Sequence, residues 1–310
     1  MPKKRLRSMD EIIKKDGVFV IAEIGKNFIQ SQESQPIDIY IKNAKALIDA
    51  AYEAGAHAVK FQTHEVEDEQ MNIHVVSPHF KGSDRYNWVK RNTQEAPIEF
   101  FKELKDYSDK KGIIFFSTPM SRMAAHKLEN IDVPIWKVGS GDVQDHVLLD
   151  FITQTKKPII ISTGMVSLAE LDEVVDYITK RESPLTVLYC VSEYPCPPEY
   201  FNLSTLEHFQ EKYPHITIGF SDHSVGDNNI PLAAVKMGAK VLEKHFSFSR
   251  DLWGSDHKAS ITPAEMEQLI KSIKTKAYKK VNTDIYYGDK KRELEEIGRA
   301  SCRERVYVLV

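Results

Sequence analysis

Two short runs decide how the chain reads: "ITIGFSDH" (216–223) and "KVLEKHFS" (240–247). Each opens on apolar, partly β-branched residues and closes on polar ones, with His223 and His245 at matching places. Continuous apolar runs of this length suit strands buried on both faces, as in parallel sheets. Six more share the design: "VFVIAEIG" (18–25), "AVKFQT" (58–63), "IIFFSTP" (113–119), "IWKVGSG" (135–141), "PIIISTG" (158–164) and "LTVLYCV" (185–191). Stretches of helical period lie between them, such as "IKNAKALIDAAYEAGA", "IEFFKELKDYSDKKG" and "SLAELDEVVDYITKR". Gly55, Gly112 and Gly238 stand where left-handed C-caps belong, just before a strand. A last helix is expected over 263–280, opened by "TPAEM". Strict alternation of strand and helix implies parallel strands joined by right-handed crossovers. Eight such units in about 260 residues close an α/β (β/α)8 TIM barrel. The alternative, a doubly wound open sheet, lacks the glycine-rich phosphate loop that would support it after the first strand.

Composition narrows the function classes. The 310 residues are 42% hydrophobic and 28% charged, ordinary for a globular protein with a substantial core. A net charge of −3 argues for neither nucleic acid nor an acidic membrane surface. The basic start "MPKKRLR" is followed by no apolar stretch, so it does not read as a signal peptide. The strongest apolar runs are far too short to span a bilayer. Cys190, Cys196 and Cys302 form neither a disulfide framework nor a zinc motif, which points to a reducing, cytoplasmic compartment.

In a barrel of this kind the active site lies at the C-terminal ends of the strands. Those ends carry Glu23, Lys60, Gln62, Thr118, Ser140, Ser162, Thr163, Ser192, Ser221, His223 and His245. One polar strand end is ordinary, but a ring of them defines a pocket. The adjacent seventh and eighth strands bring His223 and His245 together, a half-site for a borderline divalent ion such as Mn²⁺. Lys60 and Lys137, with the hydroxyls of Thr118, Ser140 and Ser221, suit a small, highly charged anion such as a phosphate or carboxylate. Glu23 is placed for acid–base work or for orienting water, or else pairs with a barrel lysine. A Schiff-base lysine competes with this reading, although a histidine pair would be redundant in that chemistry.

The motifs "AEIG" (22–25), "AVKFQT" (58–63), "FFSTPMSR" (115–122), "WKVGSGD" (136–142), "IISTGM" (160–165), "IGFSDHS" (218–224), "LEKHFS" (242–247) and "GSDHKAS" (254–260) resemble the sialic acid synthase family. That family includes N-acetylneuraminate, legionaminate and pseudaminate synthases and spore-coat polysaccharide homologues. The resemblance implies a transferase that condenses phosphoenolpyruvate with the open-chain aldehyde of an N-acylated mannosamine-type sugar. Water adds at carbon two, phosphate leaves by C–O cleavage, and a nine-carbon 2-keto sugar acid results. By motif match, His223 and His245 would hold the metal, Mn²⁺ first, with Mg²⁺ or Co²⁺ as alternatives. Lys60, Thr118, Lys137, Ser140 and Ser221 would bind phosphoenolpyruvate, with Lys137 at the phosphate. Glu23 would position or deprotonate water, and Gln62, Tyr194 and Asp256 would hold the sugar.

The sequence also departs from the family pattern. "GKNFIQSQESQ" keeps Asn27 but has Phe28 where a histidine is usual, which bears on the sugar's amide contacts. Ser192 in "YCVSEYP" replaces an asparagine, so one phosphate contact would become a hydroxyl. The segment 64–97, with Arg85, Trp88 and Arg91, is long for a βα connection and reads as a lid or a surface insertion. Residues 1–280 are expected to form the catalytic barrel and 281–295 the start of a linker. The family's C-terminal antifreeze-like (SAF) domain is expected to be missing. In the resemblance that domain crosses a homodimer, supplying an arginine to the partner's sugar site. "EIGRASCRERV" (296–306) matches an in-frame translation of a sequencing adapter, so 296–310 is expected to be a non-native tail. Two rivals stand: a heptulosonate- or octulosonate-type synthase, which needs a further basic site, and a catalytically silent barrel that binds a partner.

Overall fold

The computed structural model describes residues 7–74 and 84–288. The expected tail at 296–310, the linker beyond residue 288 and part of the 64–97 connection lie outside the described residues. The strands are β1 (Phe19–Gly25), β2 (Ala58–Thr63), β3 (Ile114–Pro119), β4 (Trp136–Val138), β5 (Ile159–Ser162), β6 (Leu185–Cys190), β7 (Thr217–Asp222) and β8 (Val241–His245). Before them comes α1 (Met9–Asp16), and between them α2 (Ile37–Glu53), α3 (Val66–Glu69), α4 (Arg85–Glu95), α5 (Ile98–Lys111), α6 (Arg122–Asn130), α7 (His146–Gln154), α8 (Leu168–Thr179), α9 (Ser204–Lys212) and α10 (Asn229–Lys236); α11 (Pro263–Lys274) follows β8. The sheet runs β3-β2-β1-β8-β7-β6-β5-β4, every ladder parallel, and β3 packs beside β4 to complete the TIM barrel.

All eight expected strands form, trimmed at their ends where the backbone turns out of the sheet. Gly55, Gly112 and Gly238 have φ near +90° or +100° and end their helices as expected. The last helix is shorter than expected. Thr275 Oγ1 back-bonds to Lys271 O at 2.9 Å, Lys276 takes a left-handed φ of +59°, and a 3₁₀ turn (Ala277–Lys280) replaces the rest. Part of the long 64–97 segment is ordered structure rather than a bare insertion, since it carries α3 and α4. α1 was not anticipated from the apolar pattern, although Ser8 and Glu11 form a capping box that signals its start.

Two apolar layers hold the barrel. The larger one lies between the strands and the surrounding helices and includes Phe28, Phe61, Phe100 and Trp136. The smaller one fills the barrel interior with Phe19, Ile21, Ala58, Ile114, Phe116, Ile135, Ile160, Leu188 and Val241, and Met9 and Ile12 of α1 belong to it. α1 therefore seals the end of the barrel opposite the strands' C-termini. Gly219 is required at an interior position of β7. A Cβ there would sit 2.4 Å from Val241 O and 2.6 Å from Leu188 Cδ2, an overlap worth about 1–3 kcal/mol of repacking.

Candidate active site

Side chains alternate across a strand, so the position two residues beyond an interior apolar residue also faces inward. Ile21 is followed in this way by Glu23, Ala58 by Lys60, Phe116 by Thr118, Ile135 by Lys137, Ile160 by Ser162, Leu188 by Cys190 and Val241 by Glu243. Strand register sets these on nearly one level: Glu23 pairs with Lys60 and with His245, Gln62 with Thr118, and Ser221 with both Glu243 and Cys190. The apolar floor thus gives way to a polar layer, above which opens a cavity of about 240 Å³. Every site residue singled out in the sequence borders that cavity except Thr163, which is buried behind it, and Asp256. Asp256 lines a small adjoining recess with Asn27 and Trp88, and its carboxylate reaches toward Gly25.

Two lysines and two carboxylates form the centre of the layer. Lys60 Nζ lies 2.6 Å from Glu23 Oε2 and 3.5 Å from Glu243 Oε1, and donates to Thr118 Oγ1 at 2.9 Å. Lys137 Nζ donates to Ser162 Oγ at 2.7 Å and to Val138 O at 3.1 Å, with Glu243 Oε1 at 3.9 Å. Glu243 therefore lies between two ammonium groups. Burial alone would raise its pKa, but Lys137 and Lys60 hold it below the ordinary glutamate value. Glu23 goes the other way. Burial pushes it up to about 7 against the pull of Lys60, while Gln62 Nε2 donates to its Oε1 at 3.0 Å. Lys60, close to both carboxylates, is raised despite its burial; for Lys137 burial wins and lowers the value.

Beside Lys137 the backbone closes into a small cradle. Gly164 N donates to Ser140 Oγ at 3.0 Å, and a Cβ on Gly164 would meet Ser192 Oγ at 2.2 Å and Cys190 Sγ and Ser140 Oγ at 3.1 Å. A backbone N–H, hydroxyls and a buried ammonium make a suitable receptor for an oxyanion. Across the mouth, the His223 and His245 rings lie 5.4 Å apart, and Tyr194 packs on His223 at 3.9 Å. His223 Nδ1 is 2.7 Å from Val191 O. A carbonyl only accepts, so Nδ1 carries the hydrogen; against its burial, Cys190 and this carbonyl raise the ring's pKa, and in the neutral ring Nε2 keeps its lone pair. His245 Nδ1 is buried and has no hydrogen-bond partner among the described residues, and burial holds this imidazole neutral by lowering its pKa to about 3, against the opposing pull of Asp256. Among the described residues no group of three or more His, Cys, Asp or Glu is placed to hold a metal ion, so the histidine pair is a half-site.

The departures noted in the first loop have structural outcomes. Phe28 lies in the outer core against Tyr40, Phe61 and Phe100, away from the cavity. Asn27 spends its amide on Phe246 O at 2.9 Å and Ser260 Oγ at 3.0 Å, tying the loop after β1 to the loop after β8. From the long segment, Trp88 packs on Trp253 at 5.3 Å and borders the cavity with Arg85 and Val89. Sequence reasoning put Ser162 on the ring without a role and singled out neither Glu243 nor Cys190, nor His64, Glu69 and Asp142, which also border the cavity. The signal that finds the first three is strand parity: Glu243 stands two residues before His245 and must share its face.

The NeuB family matches residues 47–283. The chain is 35% identical over 261 residues to N-acetylneuraminate-9-phosphate synthase from Mus musculus, covering 83% of this chain and 69% of that protein. Its identity to the spore coat polysaccharide biosynthesis protein SpsE of Bacillus subtilis is 34% over 258 residues, 83% of this chain and 67% of that one. Among solved structures, N-acetylneuraminic acid (sialic acid) synthetase from Leptospira borgpetersenii, in complex with citrate, superposes with a TM-score of 0.72 and 32% identity over 92% of each chain. A truncated 3-deoxy-D-arabino-heptulosonate 7-phosphate synthase from Thermotoga maritima, at 14% identity and a TM-score of 0.59, shares the fold alone. With the family matched across most of the barrel and relatives above 30% identity aligned over four fifths of its length, the chain belongs to the NeuB, or sialic acid synthase, family.

Proposed function

We infer that the protein condenses phosphoenolpyruvate with the aldehyde form of an N-acylated mannosamine-type sugar, giving a nonulosonic acid and phosphate. The observation that carries this is the polar layer itself: Lys60 and Lys137, each donating to a hydroxyl, with Glu23 at the same level. Lys137 with Ser140, Ser192 and Gly164 N suits the phosphate, and Lys60 with Thr118 suits the carboxylate of the same small molecule. Ser221 completes the wall between them. Carbon three of the bound enol attacks the aldehyde carbon, which leaves carbon two electron-poor. Glu23, held by Gln62 and Lys60, takes a proton from the water that adds at carbon two. Collapse of that adduct breaks the C–O bond to phosphate, which departs toward Lys137. Gln62 and Tyr194 border the space left for the sugar, with Asp256 at its edge.

His223 Nε2 and the neutral, unpartnered His245 imidazole fit a divalent ion as a half-site, with Mn²⁺ first and Mg²⁺ or Co²⁺ as alternatives. When bound, the ion would supply Lewis acidity toward the aldehyde oxygen. The reading includes a cytoplasmic, homodimeric enzyme, in keeping with the resemblance. The test is phosphate release from phosphoenolpyruvate with Mn²⁺ and a panel of N-acyl mannosamines. Release coupled to a 2-keto sugar acid supports the reading. Turnover confined to phosphorylated aldoses without an N-acyl group points to a heptulosonate-type synthase, and no release with any sugar points to a silent barrel.

A further inference from the structure

The condensation needs an open-chain aldehyde, yet a hexosamine in water is almost entirely a closed hemiacetal ring. The cavity holds an acid–base pair that the condensation does not use. His64 stands two residues beyond Gln62, just past the end of β2, and its Nδ1 is 2.8 Å from Glu69 Oε2 at the end of α3. Both side chains are only 5% exposed, and both residues border the cavity. Among the described residues His64 Nε2 and Glu69 Oε1, both buried, have no hydrogen-bond partner. A pair serving only to pin α3 to the barrel would gain nothing from two orphaned polar atoms, which cost about 1–3 kcal/mol each. The carboxylate instead fixes one tautomer, with hydrogen on Nδ1 and a lone pair on Nε2, the arrangement that orients a general base. Its platform is held in place: Val66 N donates to Thr93 Oγ1 at 3.1 Å and Met123 N to Asp68 Oδ2 at 2.8 Å.

We propose that His64, oriented by Glu69, catalyses opening of the sugar's pyranose ring, so that the enzyme makes its own aldehyde before condensing it. The proposal rests on the functional reading above. His64 Nε2 takes the proton of the anomeric hydroxyl. The O1–C1 pair becomes the carbonyl double bond, the C1–O5 bond breaks, and O5 takes a proton. Asp142, on the same cavity, supplies that proton: burial, then the carboxylates of Glu69 and Asp145, push it up to about 7, so much of it is protonated at neutral pH. The proton on His64 returns to Asp142 through cavity water, so the step is an isomerisation with nothing consumed.

Polarimetry on freshly dissolved single-anomer N-acetylmannosamine tests this, without phosphoenolpyruvate and again with phosphoglycolate as an unreactive phospho-carboxylate. Wild-type protein is expected to speed anomer exchange at least tenfold over buffer in one of these arms. His64→Gln and Glu69→Gln should each lose at least tenfold of that acceleration, within the range typical of general acid–base catalysis. Unchanged melting temperature and phosphoenolpyruvate affinity in either variant separate this loss from damage to the fold. A wild-type protein that turns over phosphoenolpyruvate with the sugar but leaves anomer exchange at the buffer rate in both arms overturns the proposal. So does a pair of folded variants that exchange anomers as fast as wild type. A wild-type protein that neither exchanges anomers nor releases phosphate contradicts the functional reading instead.

Discussion

Glu243→Gln removes the carboxylate between Lys60 and Lys137 while keeping its size. At separations of 3.5 and 3.9 Å and an effective dielectric near 20, the lost attractions are about 5 and about 4 kcal/mol before desolvation is counted. Much of that is offset because the carboxylate no longer has to be buried. Breaking one member out of a buried charge cluster usually costs about 3–5 kcal/mol net. Lys60 keeps Glu23 at 2.6 Å, whereas among the described residues Lys137 has no carboxylate other than Glu243 within 4 Å, so the cost falls mainly on Lys137. At about 2 °C per kcal/mol for a chain of this size, the ligand-free variant should melt about 6–10 °C below wild type. An anionic substrate would replace the missing charge, so phosphoenolpyruvate should raise the variant's melting temperature by several degrees more than the wild type's. Differential scanning fluorimetry with and without phosphoenolpyruvate reads both effects. A ligand-free variant within about 2 °C of wild type, or equal shifts with ligand, would refute the placement of Glu243 as the shared counter-charge.

Glu23 sits near 7 in the folded protein, so if it must be ionised, kcat/KM should rise about tenfold per pH unit below 7 and level off above; Glu23→Gln should flatten that limb, and a slope that survives assigns it elsewhere. Its raised value also means that its contribution to stability, present below the unfolded value of 4.5, is lost as pH climbs through 7. Chelation should abolish turnover and Mn²⁺ or Co²⁺ restore it, while His223→Ala and His245→Ala should weaken metal binding in calorimetry; full turnover in excess chelator would contradict the half-site. His57, whose Nδ1 accepts the Val20 N–H at 2.9 Å, is lowered by burial to about 4 from 6.5, so stability should fall as pH drops through that window, by at most about 3 kcal/mol. His57→Asn, which keeps an acceptor but does not titrate, should make melting flatter between pH 6.5 and 4, and parallel profiles would refute the role.

The barrel was legible because its signals are local and redundant: each strand is a continuous apolar run, and glycine caps separate β2, β3 and β8 from the helix before. The ring was legible for the same reason, since polar residues at the ends of parallel strands can only gather at one mouth. Asp256 was harder to place, because it lies on a loop whose path depends on contacts such as Asn27 with Phe246 O and Ser260. Glu243 was readable but unread. It looks like part of an amphipathic run until alternation along β8 puts it on the same face as His245. His64 and Glu69 are five residues apart, and only the turn into α3 brings them together. The early end of α11 turns on Lys276 entering the left-handed region, for which a lysine gives no local warning.

The claim that the site joins an enol to an aldehyde and releases phosphate through C–O cleavage is tested most directly with phosphoenolpyruvate carrying ¹⁸O in the bridging position. Incubated with Mn²⁺ and an accepted N-acyl mannosamine, the protein should yield a nine-carbon 2-keto sugar acid free of label and phosphate that carries it, both read by mass spectrometry. Label retained on the carbon product, or phosphate released with no nine-carbon acid formed, would contradict the account.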